Sequence, residues 1–363
     1  MSQMPLLPES WLFLGRSKDL SSKPSLREIA GKKFLAFRDE QGALYVTSAH
    51  CPHMGAGLVS GEVISANGSR DSRTKLVCPF HKWEFDAQHG GCTHIPYAQD
   101  RTPPAWAKLT RYPVTERNGL AFFFNGARAQ FPLPFFNDEN PDDFIHLRET
   151  LVQQDAPWYL VPANAFDMAH FANVHGRTPY SRPHFEQHDR HARVIIDYKI
   201  TGNTWADRVI RRLKGDRAQL DFTVWGGNFC LAVSSFGEPG PQQVKNRMLI
   251  TLEPVNERTS LTRIFVHSPR PRWGASRLAE ACRMEVRRFL SQQFFLAEAK
   301  ETSNFHFSPR RMIDEDWPNR PYLLWLQNLY AHGAETLVST AEQPRPLPAQ
   351  VSIMLREQPP TLL

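Results

Sequence analysis

The sequence predicts an α+β protein in two parts: an all-β domain over residues 1–130, then an antiparallel sheet with helices over 131–363. Three observations carry this. Apolar-rich runs joined by glycine-containing turns dominate the N-terminal third. The stretch NGARAQFPLPFFNDENPDDF (Asn125–Phe144) is rich in Pro, Asn and Asp and lacks sustained periodicity, which marks a domain junction. Beyond it, strand-like runs are flanked by helices without βαβ alternation, so the helices belong to one side of an antiparallel sheet.

In chain order, KKFLAFRDEQGALYVTS is two apolar runs around a turn at Asp39–Gly42, a hairpin signal. YPVTERNGLAFFFNG repeats the pattern, with Asn118-Gly119 at its tight turn. Two proline-containing loops, around Cys51 and Cys78, lie between these hairpins. In the second part a helix is expected from Pro162 to His175, ended by Gly176. Strand-like runs follow at RVIIDYKI, QLDFTVWGGNFCLAVSSF, RMLITLEPV and SLTRIFVHS. A long helix is expected over Ser276–Thr302 and a last one at PYLLWLQNLYAHGAE. There is no internal repeat.

Apolar residues make up 41% and charged residues 22% of the chain, ordinary for a soluble globular protein. No run of eighteen apolar residues is present, and the first residues lack a basic region and a cleavage site. The expectation is a cytoplasmic protein acting on soluble substrates, or on membrane substrates reached from the water side. Cys51, Cys78, Cys92, Cys230 and Cys282 are too few and too scattered for a disulfide framework. The net charge of +6 is spread out, with short clusters at RVIRRLK (Arg208–Lys214) and SPRR (Ser308–Arg311). Neither accompanies a nucleic-acid motif, so no nucleic-acid partner is expected. A basic face steering an acidic protein partner and plain solvated surface both account for these clusters.

Chemistry concentrates in two places. The first gives Cys51-Pro52-His53 and Cys78-Pro79-Phe80-His81. Structural zinc sites usually keep both cysteines in one pair and both histidines in the other. Here each loop supplies one thiol and one imidazole. A Rieske [2Fe–2S] cluster needs that set: two thiolates on one iron and two imidazoles on the other, which raises the potential above that of all-cysteine clusters. Gly55 and Gly57 suit a tight first loop. The stretches CPHMGAGLVSGEV and CPFHKWEFDAQHGGCTHIP resemble the Rieske signature, and the likeness runs from Trp11 to Asn125. Ala56 and Phe80 stand where respiratory-chain Rieske proteins carry a disulfide, so the loops resemble those of Rieske ferredoxins and oxygenases. The polar excess Ser65–Lys75 between the pairs reads as a surface insertion.

The second place is NAFDMAHFANVH, Asn164 to His175. His170 and His175 are five apart and point in different directions on an unbroken helix, but a helix ending at Gly176 frees the second imidazole. Asp167 shares the face of His170. With the upstream cluster motif, the whole chain resembles a Rieske non-haem iron oxygenase, catalytic (alpha) subunit. Its wording is nearest to the branch of 3-ketosteroid 9α-hydroxylases and sterol desaturases.

The resemblance implies a helix-grip-like catalytic domain with mononuclear Fe(II) on His170 and His175. It implies that Asp167 links a neighbouring subunit's Rieske histidine to the iron histidine in a homotrimer. Asn164 either lines the iron site or is an ordinary helix residue. The family's third ligand is a carboxylate on a late helix, where the matching stretch QQFFLAEAK offers Gln293. Glu298 and Glu301 are the nearby carboxylates, and Glu298 faces a different direction from Gln293 on a regular helix.

The expected activity is O2-dependent oxidation, by default hydroxylation, of a hydrophobic ring-containing substrate. Demethylation, desaturation and oxidative cyclisation remain alternatives, as does an electron-transfer protein with a degenerate iron site. The chain has no G-x-G-x-x-G fingerprint, so electrons are expected from a separate NAD(P)H reductase, directly or through a ferredoxin. His184, His188 and His191 beside Glu186 and Asp189 are expected in an exposed loop. Cys92, Cys230 and Cys282 are expected as small buried hydrophobes. The stretches VWGGNFCLAVSSF and FLSQQFFLA suit core packing or a greasy pocket wall.

Overall fold

The computed structural model describes residues 4–65, 73–137, 139–240, 243–271, 274–303 and 311–331. Most of the Ser65–Lys75 segment, most of SPRR and the end of the last expected helix lie outside them.

Eleven strands build the N-terminal part: β1 (Trp11–Arg16), β2 (Ser25–Ile29), β3 (Lys32–Arg38), β4 (Leu44–Ser48), β5 (Glu62–Ile64), β6 (Lys75–Val77), β7 (Glu84–Asp86), β8 (Cys92–His94), β9 (Arg111–Tyr112), β10 (Val114–Arg117) and β11 (Leu120–Phe124). They form three antiparallel sheets, ordered β1-β11-β10, β2-β3-β4-β9 and β5-β6-β7-β8. Both expected hairpins are present, β3–β4 and β10–β11.

The remainder contains β12 (Phe144–His146), β13 (Thr150–Gln154), α1 (Met168–Asn173), β14 (Arg177–Pro179), β15 (His184–Gln187), β16 (His191–Ile200), α2 (Trp205–Lys214), β17 (Arg217–Trp225), β18 (Phe229–Phe236), β19 (Val244–Pro254), β20 (Ser260–Pro269), α3 (Gly274–Glu301) and α4 (Asn319–Ala331). Its nine strands make one antiparallel sheet with the path β12-β20-β19-β18-β17-β16-β14, β13 adding to β20 and β15 to β16. The α+β class holds.

This sheet has two differently used faces. On one, alternate residues of β16 (Ala192, Val194, Ile196, Tyr198, Ile200) and of β17 (Ala218, Leu220, Phe222, Val224) point into a core closed by Trp158, Phe166, Tyr322 and Trp325. Phe166 and Tyr322 stack with ring centroids 4.1 Å apart. On the other face, Phe229, Leu231, Leu249 and Phe265 meet Trp11, Phe13, Phe122 and Phe124 of the N-terminal part. The Phe13–Phe265 and Phe122–Phe229 rings lie 5.3 and 5.7 Å apart. Trp11 Nε1 donates to Phe131 O at 3.0 Å, and Asn228 Nδ2 to Trp11 O at 3.1 Å. This explains a difference in sequence pattern. β16 alternates because one of its faces looks outward, whereas β18 begins with a continuous buried run because both of its faces are covered.

Two local expectations change, and one helix is new. The helix expected over Pro162–His175 is broken: a 3-10 turn at Pro162–Phe166, an extended Asp167, then the short α1. The histidine-rich stretch expected in a loop is instead a β-hairpin, β15 pairing with β16. The RVIRRLK cluster lies on α2, whose start is fixed by a reciprocal cap between Thr204 and Asp207. Two of the three leftover cysteines also depart from expectation: Cys282 is exposed and Cys92 half-buried, while Cys230 is buried.

Phe166 is fully buried one residue before Asp167. Replacing it with Ala is expected to cost about 3–5 kcal/mol, read as a lowered denaturant midpoint with the slope unchanged.

Candidate metal centres

The first centre grows from two loops of the same design. Cys51 follows β4 and Cys78 follows β6. In each loop the fourth residue after the cysteine turns back with positive φ, Gly55 at 75° and Lys82 at 58°, and its N–H donates to the cysteine carbonyl at 2.9 and 3.1 Å. Gly55 is therefore the glycine that the first turn uses. Gly57, at φ −65°, takes an ordinary conformation.

The cysteines are buried free thiols within hydrogen-bond reach of each other. Burial, together with the Cys78 thiol, raises the Cys51 thiol to about 11. His53 and His81 are half-buried, with ring centroids 4.9 Å apart. His53 stacks on Trp83 at 4.3 Å, and Trp83 Nε1 donates to Tyr97 Oη at 2.9 Å. Two adjacent thiols within and two adjacent imidazoles further out are a donor set that fits a two-iron cluster with unlike ends.

The second centre joins elements far apart in sequence. Asp167 Oδ1 accepts from His170 N at 2.9 Å and caps α1. The helix stops at Asn173 and the chain turns at Gly176, φ 59°. Gly176 rests on Gly202: a β-carbon built on Gly176 would lie 2.4 Å from Gly202 Cα. This close approach fixes the end of α1 and lets His175 swing back.

The third member comes from α3. Glu298 Oε1 lies 3.0 Å from His170 Nε2 and 2.7 Å from His175 Nε2, and the two Nε2 atoms are 3.1 Å apart. Donors bound at right angles to a metal at ~2.1 Å would be separated by roughly 3 Å, so the trio fits one triangular face of an octahedron. It is the only such cluster of metal-binding side chains among the described residues.

The side chains of His170, His175 and Glu298 are only 14%, 5% and 7% exposed, so bulk water does little to screen them. Burial alone would raise the Glu298 carboxyl, but hydrogen bonds to His170 and His175 bring it down to about 2. Burial disfavours the charged form of His170, and the Glu298 contact more than offsets this, raising its pKa. Two further contacts hold the trio. Asn164 Nδ2 donates to Glu298 Oε2 at 2.8 Å, and Phe294 stacks on His175 at 4.0 Å.

The expectation of Gln293 as third ligand is corrected. Gln293 is exposed, while Ser291, Phe295 and Glu298 form a buried stripe of α3 that Thr302 continues just past the helix end. Five residues of regular helix turn Gln293 away from the side that Glu298 presents. Glu301, the other carboxylate considered, is exposed. No pattern of residue types marks Glu298 in the sequence: of these four positions only Phe295 is apolar, and the stripe shows in burial alone. The His184–His191 hairpin stays separate from this centre. His184 and His188 each approach Glu186, at 3.8 and 3.9 Å, on an open surface.

Comparison with known proteins bears on the part of the chain that holds the first centre. Residues 10–113 match the family model of the Rieske [2Fe–2S] domain. The N-terminal part of this chain is a Rieske domain. Similar proteins include the cholesterol 7-desaturase of Caenorhabditis elegans, 31% identical over 182 residues, which are 48% of this chain and 40% of that protein. Another is a probable 3-ketosteroid-9-alpha-monooxygenase, oxygenase component, of Rhodococcus rhodochrous, 31% identical over 197 residues, 49% and 44% of the two chains. The matches thus span less than half of either relative.

Among solved structures, dicamba monooxygenase bound to dicamba superposes with a TM-score of 0.61 at 18% identity, covering 92% of this chain and all of that one. The likeness is one of fold, and it takes in the nine-stranded sheet and its helices as well as the N-terminal sheets.

Two substitutions separate the centres. Cys78→Ser is expected to abolish the Rieske visible and EPR signals. Glu298→Ala is expected to leave those signals and remove mononuclear metal, dropping bound iron from about three to about two per chain, whereas Gln293→Ala leaves both unchanged; iron analysis beside EPR reads the difference.

Proposed function

We propose that this chain is a terminal oxygenase component. It takes electrons singly from a separate NAD(P)H reductase, directly or through a ferredoxin, and uses O2 to oxidise a hydrophobic ring-containing substrate, by default through hydroxylation. The observation that carries this reading is the trio His170, His175 and Glu298, in facial geometry, on a chain with a Rieske domain.

Cys51, His53, Cys78 and His81 would hold the cluster. His170, His175 and Glu298 would hold Fe(II). Bound there, the iron would supply the O2 chemistry, since three protein ligands on one face leave the opposite positions open. The chain's own residues do the rest. Glu298 brings one negative charge, its other oxygen tied to Asn164. Phe294 fixes the plane of the His175 ring. The Asp167 cap sets the backbone from which His170 projects.

The N-terminal part packs on one face of the nine-stranded sheet through rings of β1 and β11, and the trio belongs to the helical layer on the other face. This arrangement favours electron transfer between subunits. In a homotrimeric ring every Rieske domain would face the next subunit's iron, with Asp167 joining the two imidazoles. The relatives named for desaturation and 9-alpha-monooxygenation support a sterol-like substrate class. Desaturation therefore stands beside hydroxylation as the second reading. A pure electron carrier rested on Gln293 as the third ligand and loses that support with Glu298 beside the histidines. No helix among the described residues is long and apolar enough to cross a membrane, and the partners proposed put the protein in the cytoplasm.

With a surrogate reductase the purified protein is expected to consume O2 in an NAD(P)H-dependent way that a ring-containing apolar substrate accelerates. Absence of uptake with both metals loaded would remove the oxygenase reading. Asp167→Asn keeps a competent helix cap, so both metal contents should stay normal while the rate of mononuclear-iron turnover falls about ten- to a hundredfold. An unchanged rate would exclude Asp167 from the electron path.

A further inference from the structure

Helix α2 is absorbed by neither centre. Its inner side is fastened at few points. Asp207 is buried in the Thr204 cap and pairs with Arg177 at 2.6 Å, and Arg211 donates to the carbonyls of Ile200 and Gly202. Its outer side is unusual. Trp205 and Leu213 are 65% and 71% exposed, with the half-buried Val209 midway between them. These three are spaced i, i+4, i+8. Arg208 and Arg212, both exposed, follow Trp205 by three and seven residues and form the adjoining row. Neither arginine has an ion-pair partner among the described residues.

An apolar row carrying Trp and Leu beside a row of uncompensated arginines is the pattern of a helix lying in a lipid–water interface. We infer that the outer face of α2 docks this protein on an anionic phospholipid surface. Charge complementarity selects the occupant: the arginines meet lipid phosphates while Trp205 and Leu213 enter the headgroup boundary. The two anchors stand about 12 Å apart along a straight helix, a line suited to a plane. The docking would be peripheral, because no described helix can span a bilayer.

The placement also connects with the second centre. Gly202, just before α2, is the residue on which Gly176 rests, immediately after His175. A lipid surface held by α2 would thus lie beside the segment that carries the trio. The inference itself does not depend on the oxygenase reading, and its readout is binding.

The test is co-sedimentation of the full-length, cluster-loaded protein with vesicles of phosphatidylcholine alone or mixed with phosphatidylglycerol. Expected is partition onto the anionic vesicles only, weakened by salt, and reduced about tenfold or more both in Trp205→Ser/Leu213→Ser and in Arg208→Glu/Arg212→Glu. All four positions are exposed or surface-facing, and an unchanged Rieske absorbance confirms each variant's fold. Absence of vesicle binding, or binding that neither variant alters, overturns the inference. Loss with the charge variant alone shows a purely electrostatic contact in which Trp205 and Leu213 do not enter the headgroup boundary, and also overturns it. So does a wild-type oligomer that dissociates in the Trp205/Leu213 variant with no vesicle binding, which assigns the face to self-association.

Discussion

The meeting of two imidazoles and one carboxylate within about 3 Å of each other is the constraint on which the helical layer depends. Three polar groups this close and this buried are stable only if each is aimed by something else. His170 is aimed by the start of α1, where Asp167 caps the helix. His175 is aimed by its end, where Gly176 can approach Gly202 because Gly176 carries no side chain. Glu298 is aimed by Asn164 from the other side of its carboxylate. The elements behind these residues have little freedom of their own. Phe166, stacked on Tyr322, fixes the entry to Asp167, and the buried stripe of α3 fixes the rotation that presents Glu298.

The nine-stranded sheet is the partition around which both parts are arranged. One face supplies the floor of the helical layer. The other is covered, near β18 to β20, by aromatic rings of the Rieske domain. Side chains alternate across a strand, so a residue in the shared region serves one core or the other and never both. Cys230, Ala232 and Ile250 belong to the helical side, while Phe229, Leu231 and Leu249 belong to the Rieske side. The relative position of the two parts is thus written into the odd and even positions of the same strands.

This arrangement shows why some features were legible in the sequence and others not. The hairpins of the N-terminal part announce themselves through Asp39–Gly42 and Asn118-Gly119, because turn chemistry is local. The Rieske motif is legible for the same reason: each loop of six or so residues carries its own cysteine, histidine and turn. The interruption at Asp167 was not legible, since Pro162–Phe166 reads as helical until tertiary packing of Phe166 on Tyr322 decides otherwise. Helix α2 had a local signal, Thr204 three residues before Asp207, which the density of arginines obscured. The hairpin of β15 looked like a loop because its polar residues face solvent on an edge strand, where the apolar alternation used to recognise strands is weak.

The third member of the trio could be found only by choosing a register on α3. The choice of Gln293 assumed that the position matching by neighbouring letters also matches in space. Along this helix the buried side is the better guide, and it leads to Glu298. The longer side chain then has a cost. An aspartate at the same place would fall about 1.5 Å short of the imidazoles, the length of one carbon–carbon bond. Glutamate reaches them but has one more rotatable bond to fix. Asn164 answers that need. By donating to Oε2 it leaves Oε1 as the oxygen turned toward both histidines and restrains the carboxylate to a single presented oxygen. Glu298 and Asn164 therefore act as one unit, the first reaching the imidazoles and the second fixing that reach.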